Sequence, residues 1–246
     1  MSIYQSYVYD TLFFSPNKEQ IDQSIQSLKD SGVSVEIEDS VAGFLSVHIG
    51  KQKESIKLTQ KGLCKRIIEA LHVTSLPIKH TPAAKDLLGK DPDGDPPNGQ
   101  YSYPLVIGML LYLCGHSRPD LQFAVSQCAR FIHGTKRSHE VALERIGQYL
   151  KGTMEEVLVL KLNVSMDIEC FVDADFAGLF AFEDVLDPSC VKSRTGYIIR
   201  VSGCPIIWTS RLQTDIASST MESEYNSLSM AMKELLPFQD LFKEVF

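Results

Sequence analysis

The chain contains no uninterrupted apolar run near the roughly 20 residues that a bilayer-spanning helix needs, so no membrane span is expected. It holds one tryptophan and six cysteines, and the cysteines (Cys64, Cys114, Cys128, Cys170, Cys190, Cys204) form no C-x-x-C pair. That scatter supports neither a zinc site nor a disulfide framework. Reduced thiols in an intracellular compartment, cytoplasmic or nuclear, are the simpler expectation. The six histidines include no H-x-x-x-H pair, which removes a helix-borne zinc site. There is no G-x-x-x-x-G-K run, which removes the usual phosphate loop. The first residues, Met1 to Phe14, include Asp10 and lack a basic start, so they make a poor signal peptide.

With 246 residues, 44% hydrophobic and 22% charged, the composition is that of one or two globular domains with a substantial core. The net charge of −7 argues against coating a nucleic acid through overall charge. The distribution is uneven, however. Arg118, Arg130, Lys136, Arg137, Arg145 and Lys151 face only three acids between positions 118 and 151, whereas positions 155–187 hold nine acids against one lysine. A basic strip followed by an acidic cluster suits an enzyme that holds a polyanion beside divalent metals. Two differently solvated surfaces would give the same counts. His116, His133 and His139 lie near the strip and are expected at the surface or against nucleic acid.

Periodicity predicts an α+β or α/β chain, and α+β is the class expected. Strands are expected at 7–14, 41–49 and 55–58, and helices at 17–31 and 61–71, the first with Ile21, Ile25 and Leu28 on one face. Residues 77–104 contain six prolines and three glycines and read as a linker, because proline cannot donate and glycine frees φ. Helices are then expected at 105–114, from Pro119, and at 139–151. From Val157 the period becomes that of strands, at 157–160, 168–172, 195–201 and 205–210. A long helix, 221–245, closes the chain with an interruption or kink near Pro237.

Carboxylates are the residues best placed for chemistry. Phosphodiester hydrolysis needs an activated water and a neutralised leaving oxygen; two Mg²⁺ ions supply both, and the protein supplies carboxylates to hold them. Asp173 and Asp175 end an apolar strand and, two residues apart, share a face. Glu222 and Glu224 open the last helix. Acids in a first helical turn also serve the helix dipole and the N-cap, and an Asp at a strand end is an ordinary turn former, so both pairs have a purely structural reading. Trp208 and Tyr197 could stack on a base, but aromatic residues on strands are usually core.

Several runs together point to a family. Tyr103-Pro104-Leu105-Val106-Ile107-Gly108-Met109-Leu110-Leu111-Tyr112-Leu113, then Ser117-Arg118-Pro119-Asp120, Phe123-Ala124-Val125-Ser126 and Tyr149-Leu150-Lys151-Gly152-Thr153, resemble the connection region of copia-type retrotransposon Pol polyproteins. Val172-Asp173-Ala174-Asp175-Phe176-Ala177-Gly178, Ser193-Arg194-Thr195-Gly196-Tyr197, Ile207-Trp208-Thr209-Ser210 with Gln213, and Thr220 to Tyr225 resemble the ribonuclease H domain of the same family. The resemblance implies a reverse transcriptase palm/thumb remnant (1–76), a linker (77–104), a helical connection (105–156) and an incomplete ribonuclease H-like lobe (157–246). It implies two Mg²⁺ ions, with Asp173 and Glu224 as metal-binding catalytic residues and Asp175 and Glu222 in support. It also implies RNA–DNA hybrid as substrate, held by the basic strip, and other Pol segments as partners.

The N-terminal end departs from that pattern. Tyr7-Val8-Tyr9-Asp10 resembles the Tyr-Val-Asp-Asp metal turn of the polymerase palm, with Tyr9 where the first aspartate stands and Asp10 retained. A phenol with a pKa near 10 is no substitute for a hard anionic ligand, so polymerase activity is not expected. Ser46 stands where the family has glycine. The family's third metal carboxylate, on a later strand, is expected beyond Phe246, which predicts weak or absent hydrolysis and an unpaired edge along 168–172. Three readings stay open: a hybrid ribonuclease within a longer Pol, a non-catalytic remnant that binds nucleic acid, and a remnant with no selected role.

Overall fold

The computed structural model describes residues 3–7, 10–15, 17–37, 43–161, 166–180 and 182–245. The N-terminal segment is a hairpin rather than one long strand: β1 (Ile3–Tyr7) pairs antiparallel with β2 (Asp10–Phe14), Tyr7 opposite Asp10. Tyr9 lies outside the described residues, and so does the side chain of Asp10. Helix α1 (Lys18–Asp30) starts on Asn17, whose side chain accepts the Glu19 N–H, and has no buried residue.

A four-stranded sheet follows in the order β3 (Gly43–Phe44), β4 (Val47–Lys51), β5 (Ser55–Thr59), β6 (Leu158–Lys161), with all neighbours antiparallel. The placement of β6 differs from the sequence expectation, which put it at the head of the C-terminal lobe. Its alternation identified a strand but not a partner. The partner is β5, where Leu158 and Leu160 sit opposite Leu58 and Ile56. The β3–β4 turn is made by Leu45 and Ser46, both left-handed at φ 51° and 62°. A two-residue hairpin wants this conformation, and only glycine adopts it without steric cost. Ser46→Gly is therefore expected to raise the unfolding free energy by about 0.5–1 kcal/mol, read as a higher urea midpoint.

The main core is helical. It is built by α2 (Lys61–Ala70), α3 (Tyr103–His116), α4 (Gln122–Ala129) and α5 (Arg137–Gly152) around Ile67, Ile107, Leu110, Leu113, Leu121, Leu143, Ile146 and Leu150, all under 2% exposed. Helices α2 and α5 approach closely at Gly147, where a Cβ would lie 2.7 Å from Leu71 and 2.9 Å from Val73.

Up to Ser102, just before α3 begins, the stretch read as a linker forms no helix or strand, yet it is no spacer. It runs antiparallel along α5 as a strap. Lys151 Nζ donates to the carbonyls of Thr74 and Leu76 (2.5 and 2.8 Å), and Arg145 to Thr81 Oγ1 (2.7 Å). His139 donates to Gly89 O (2.7 Å), and Lys136 to the carbonyls of Pro92 and Gly94 (both 3.1 Å). Beyond these, Glu140 accepts the N–H groups of Asn98 and Gly99. A segment this rich in proline makes no ladder of its own, so its carbonyls need outside donors when packed on a helix.

The C-terminal sheet is an antiparallel meander, β7 (Ile168–Ala174), β8 (Arg194–Val201), β9 (Cys204–Leu212), in the order β7-β8-β9. Among the described residues β7 is thus an edge strand. Helix α6 (Thr220–Val245) packs across the sheet through Ala231 and Leu235 against Tyr197 and Ile199, and runs continuously through Pro237. Tyr197 is core, as its strand position suggested. Among the described residues no helix is long and apolar enough to cross a membrane.

Candidate functional site

The motifs that resemble a hydrolase meet where α6 begins. Thr195, Gln213, Ser223 and Ser227 are each 3% exposed or less. Thr195 Oγ1 lies 2.8 Å from Ser227 Oγ, and Gln213 Nε2 donates to the Ser223 carbonyl at 2.9 Å. Gln213 Oε1 accepts from Asn226 at 3.4 Å. This buried polar cluster fixes the first turns of α6 on β8. It is what brings the Ser193–Tyr197, Gln213 and Thr220–Tyr225 runs together, although they are apart in sequence. Residue type alone did not disclose this role. The signal available was the recurrence of small hydroxyl side chains four residues apart on an otherwise apolar helix face.

The carboxylates are arranged differently. In an antiparallel pair, residues directly opposite share a face. Cys170, Val172 and Ala174 oppose Ile199, Tyr197 and Thr195, all on the face that α6 covers. Phe171 and Asp173 oppose Ile198 and Gly196, on the other face. Asp173 is therefore exposed on the side turned away from α6, while Glu224 is exposed on α6 itself. Asp173 thus stands on β7 and Glu224 on the first turn of α6, both open to solvent.

Asp175 closes a turn. Its N–H donates to the Arg194 carbonyl (3.1 Å) and its carboxylate accepts the Arg194 N–H (2.5 Å). Gly178 leaves room for it, since a Cβ there would meet Asp175 Oδ2 at 2.4 Å. Glu222 is a helix cap. It accepts from Ser218 N–H (2.6 Å) and Ser218 Oγ (2.5 Å), while its own N–H donates to Ser219 Oγ (3.1 Å). These bonds hold its carboxyl below the usual range. Among the described residues no three His, Cys, Asp or Glu side chains gather as metal ligands.

The basic strip is also engaged internally. Arg118, 4% exposed, forks onto Asp120 (2.7 and 2.9 Å) and reaches Thr153. Arg130 forks onto Glu183 (2.7 and 2.9 Å) and also donates to the Leu88 carbonyl. Arg137 pairs with Glu140 and Glu144. Arg145, Lys136 and Lys151 hold the strap. The charge count left open whether this strip holds a polyanion or is only a solvated face; these side chains act as internal staples, because backbone carbonyls and acids compete successfully for the same donors.

Two further contacts join the lobes. Trp208 Nε1 donates to the Cys114 carbonyl (2.8 Å) at the end of α3, and Arg194 Nη1 to Ser126 Oγ (2.5 Å) on α4. Burial, with Arg130 nearby, pulls the Arg194 guanidinium down to about 10 against the opposing pull of Asp175.

His139 is fully buried, not a surface group. Its Nδ1 accepts the Lys136 N–H (2.9 Å), Nε2 donates to Gly89 O (2.7 Å), and the ring stacks on Phe131 at 4.0 Å. One accepting and one donating nitrogen make the neutral ring. Burial lowers its pKa; the Gly89 carbonyl and Asp91 oppose this, while Arg130 and Lys136 add to it. The unfolded chain therefore takes the proton first as pH falls. Stability should be level above about pH 6.5 and decline below it, until the folded-state pKa is passed. Urea melts across this range should show a slope that His139→Gln reduces; an unchanged slope would refute the assignment.

No family model and no solved structure matches the chain significantly. Similar proteins include the retrovirus-related Pol polyprotein from transposon RE1 of Arabidopsis thaliana, 26% identical over 93% of this chain. The corresponding polyprotein from transposon TNT 1-94 of Nicotiana tabacum is 30% identical over 82% of it. The chain spans 15% of the length of each. A putative transposon Ty5-1 protein of Saccharomyces cerevisiae is 24% identical over 93% of this chain and 72% of its own length. With agreement over nearly its full length, the chain belongs to the retrovirus-related Pol polyproteins of transposons.

Proposed function

We propose that this chain is the joining region of a copia-type Pol, from the end of the reverse transcriptase through a helical connection into a ribonuclease H-like lobe. In this reading, Mg²⁺-dependent hydrolysis of the RNA strand of an RNA–DNA hybrid belongs to the longer protein and not to this chain alone. The order of the motifs and their meeting at the start of α6 support the lobe assignment. The observation that carries the second half is the face of β7: Asp173 projects on the side that α6, with Glu224, does not cover. Asp175 and Glu222 hold a turn and a cap, so the residues present do not fit a two-metal site. Both metals need carboxylates converging on one spot, since Mg²⁺ demands near-ideal octahedral geometry.

The test is a cleavage assay on an RNA–DNA hybrid with Mg²⁺, run beside Asp173→Asn. The expected result is no cutting that the substitution abolishes. Robust cutting by the unaltered chain, lost in Asp173→Asn, would overturn the proposal. The other reading, a non-catalytic remnant that grips nucleic acid through positions 118–151, is less favoured because those cations already serve internal bonds.

A further inference from the structure

A cavity of about 570 Å³ opens over β4, β5 and the first turn of α2, lined by none of the carboxylates or strip cations discussed above. The strand register fills one side of it with polar groups. His48 lies opposite Thr59 and Lys57 opposite Gly50, so all four share the cavity face, and Gly50 leaves the floor open. The alternate residues Ile49, Ile56 and Leu58 belong to the other face. At the end of β5 the chain turns into α2, placing Gln60, Lys61 and Gly62 along the wall. The side chain of Gln60 does not cap the helix.

Three observations give the cavity its chemistry. His48, Lys57 and Lys61 line it and no carboxylate does, in a chain of net charge −7. Gln60 borders it at 4% exposure, with Oε1 accepting from Ser117 Oγ (2.7 Å) and Nε2 lacking an acceptor. The α2 terminus adds the donors and partial positive charge of a first helical turn, with Gly62 presenting no side chain to block approach. Lys61 does pair with Glu155, but both side chains are largely exposed, and such a pair is readily exchanged for a stronger anion.

We infer that this cavity is a binding site for a phosphate group. Its volume falls in the range of ordinary ligand sites, roughly 300–1,000 Å³, and exceeds what a lone chloride or carboxylate requires. The phosphate could come from a small phosphorylated molecule or from the backbone of a polynucleotide. The inference does not rest on the hydrolase reading.

The experiment is calorimetric titration of the whole chain with inorganic pyrophosphate, then with an oligothymidylate, each with and without the other. One pyrophosphate should bind per chain. Lys57→Gln and Lys61→Gln should each weaken binding by about tenfold, the loss of one charge-assisted bond. Lys53→Gln, an exposed lysine outside the cavity, should leave it unchanged. An oligothymidylate that competes with pyrophosphate identifies a backbone phosphate as the source; one that does not compete identifies a small phosphorylated molecule. Absence of binding by both probes, or equal losses in all three variants, would overturn the proposal. Circular dichroism melts of each variant separate lost binding from lost folding.

Discussion

Glu140→Ala is expected to lower the unfolding free energy by about 2–4 kcal/mol, the cost of leaving two backbone donors without their acceptor. Glu140 is 1% exposed, and its carboxylate accepts from Asn98 N–H at 2.8 Å, Gly99 N–H at 3.3 Å and Arg137 Nη1 at 3.0 Å. Removing it strands two backbone donors of the strap and leaves Arg137 paired with Glu144 alone. Tyr101 OH also reaches the Glu140 carbonyl (3.3 Å), so the strap's return into α3 is tied to the same turn of α5. Glu140→Gln keeps an oxygen acceptor while losing the charge, and should fall between the two. Urea denaturation followed by circular dichroism checks all three proteins. A loss under about 1 kcal/mol in the alanine variant would show that the strap is held without this carboxylate, as an exposed pair would allow.

Glu183→Ala should have an effect of similar size, at the junction of the lobes. Both Glu183 oxygens accept from Arg130 Nη2, and the two side chains are 1% and 13% exposed. Without Glu183 a buried cation is left unpaired, close enough to Arg194 to disfavour its charge as well. The expected cost is about 3–5 kcal/mol. The double change Arg130→Met with Glu183→Leu should recover most of it, because replacing both partners with apolar groups removes the desolvation cost along with the attraction. If the double variant is no more stable than Glu183→Ala, the pair acts through something other than charge. Denaturation of the two variants side by side decides this.

Much of the fold was legible in the sequence, because it depends on local pattern. The helices 105–114 and 139–151 and the strands 195–201 and 205–210 recur as α3, α5, β8 and β9 with shifts of a few residues at their ends. What failed to show was partner choice. Residues 157–160 announced a strand, but joining it to β5 needed knowledge that Ile56 and Leu58 present a matching face 100 residues earlier. The charge count located the basic residues and left their task open, since counting cannot say whether a lysine meets solvent or a carbonyl. His139 illustrates the same limit: Phe131, eight residues before it, covers the ring only because the chain turns back between α4 and α5. At the candidate site Asp173 and Glu224 were named through the family resemblance, whereas the side of the sheet on which Asp173 emerges was set by the pairing of β7 with β8.

The strap has a consequence for how this part of the chain can change in length. Surface segments rich in proline and glycine usually accept insertions freely, since their ends alone are fixed. Here the segment is metered against a rigid ruler, with a bond to α5 near each of Thr74, Thr81, Gly89 and Gly94. A residue added between two of these bonds would move the later carbonyls out of step with their donors on α5.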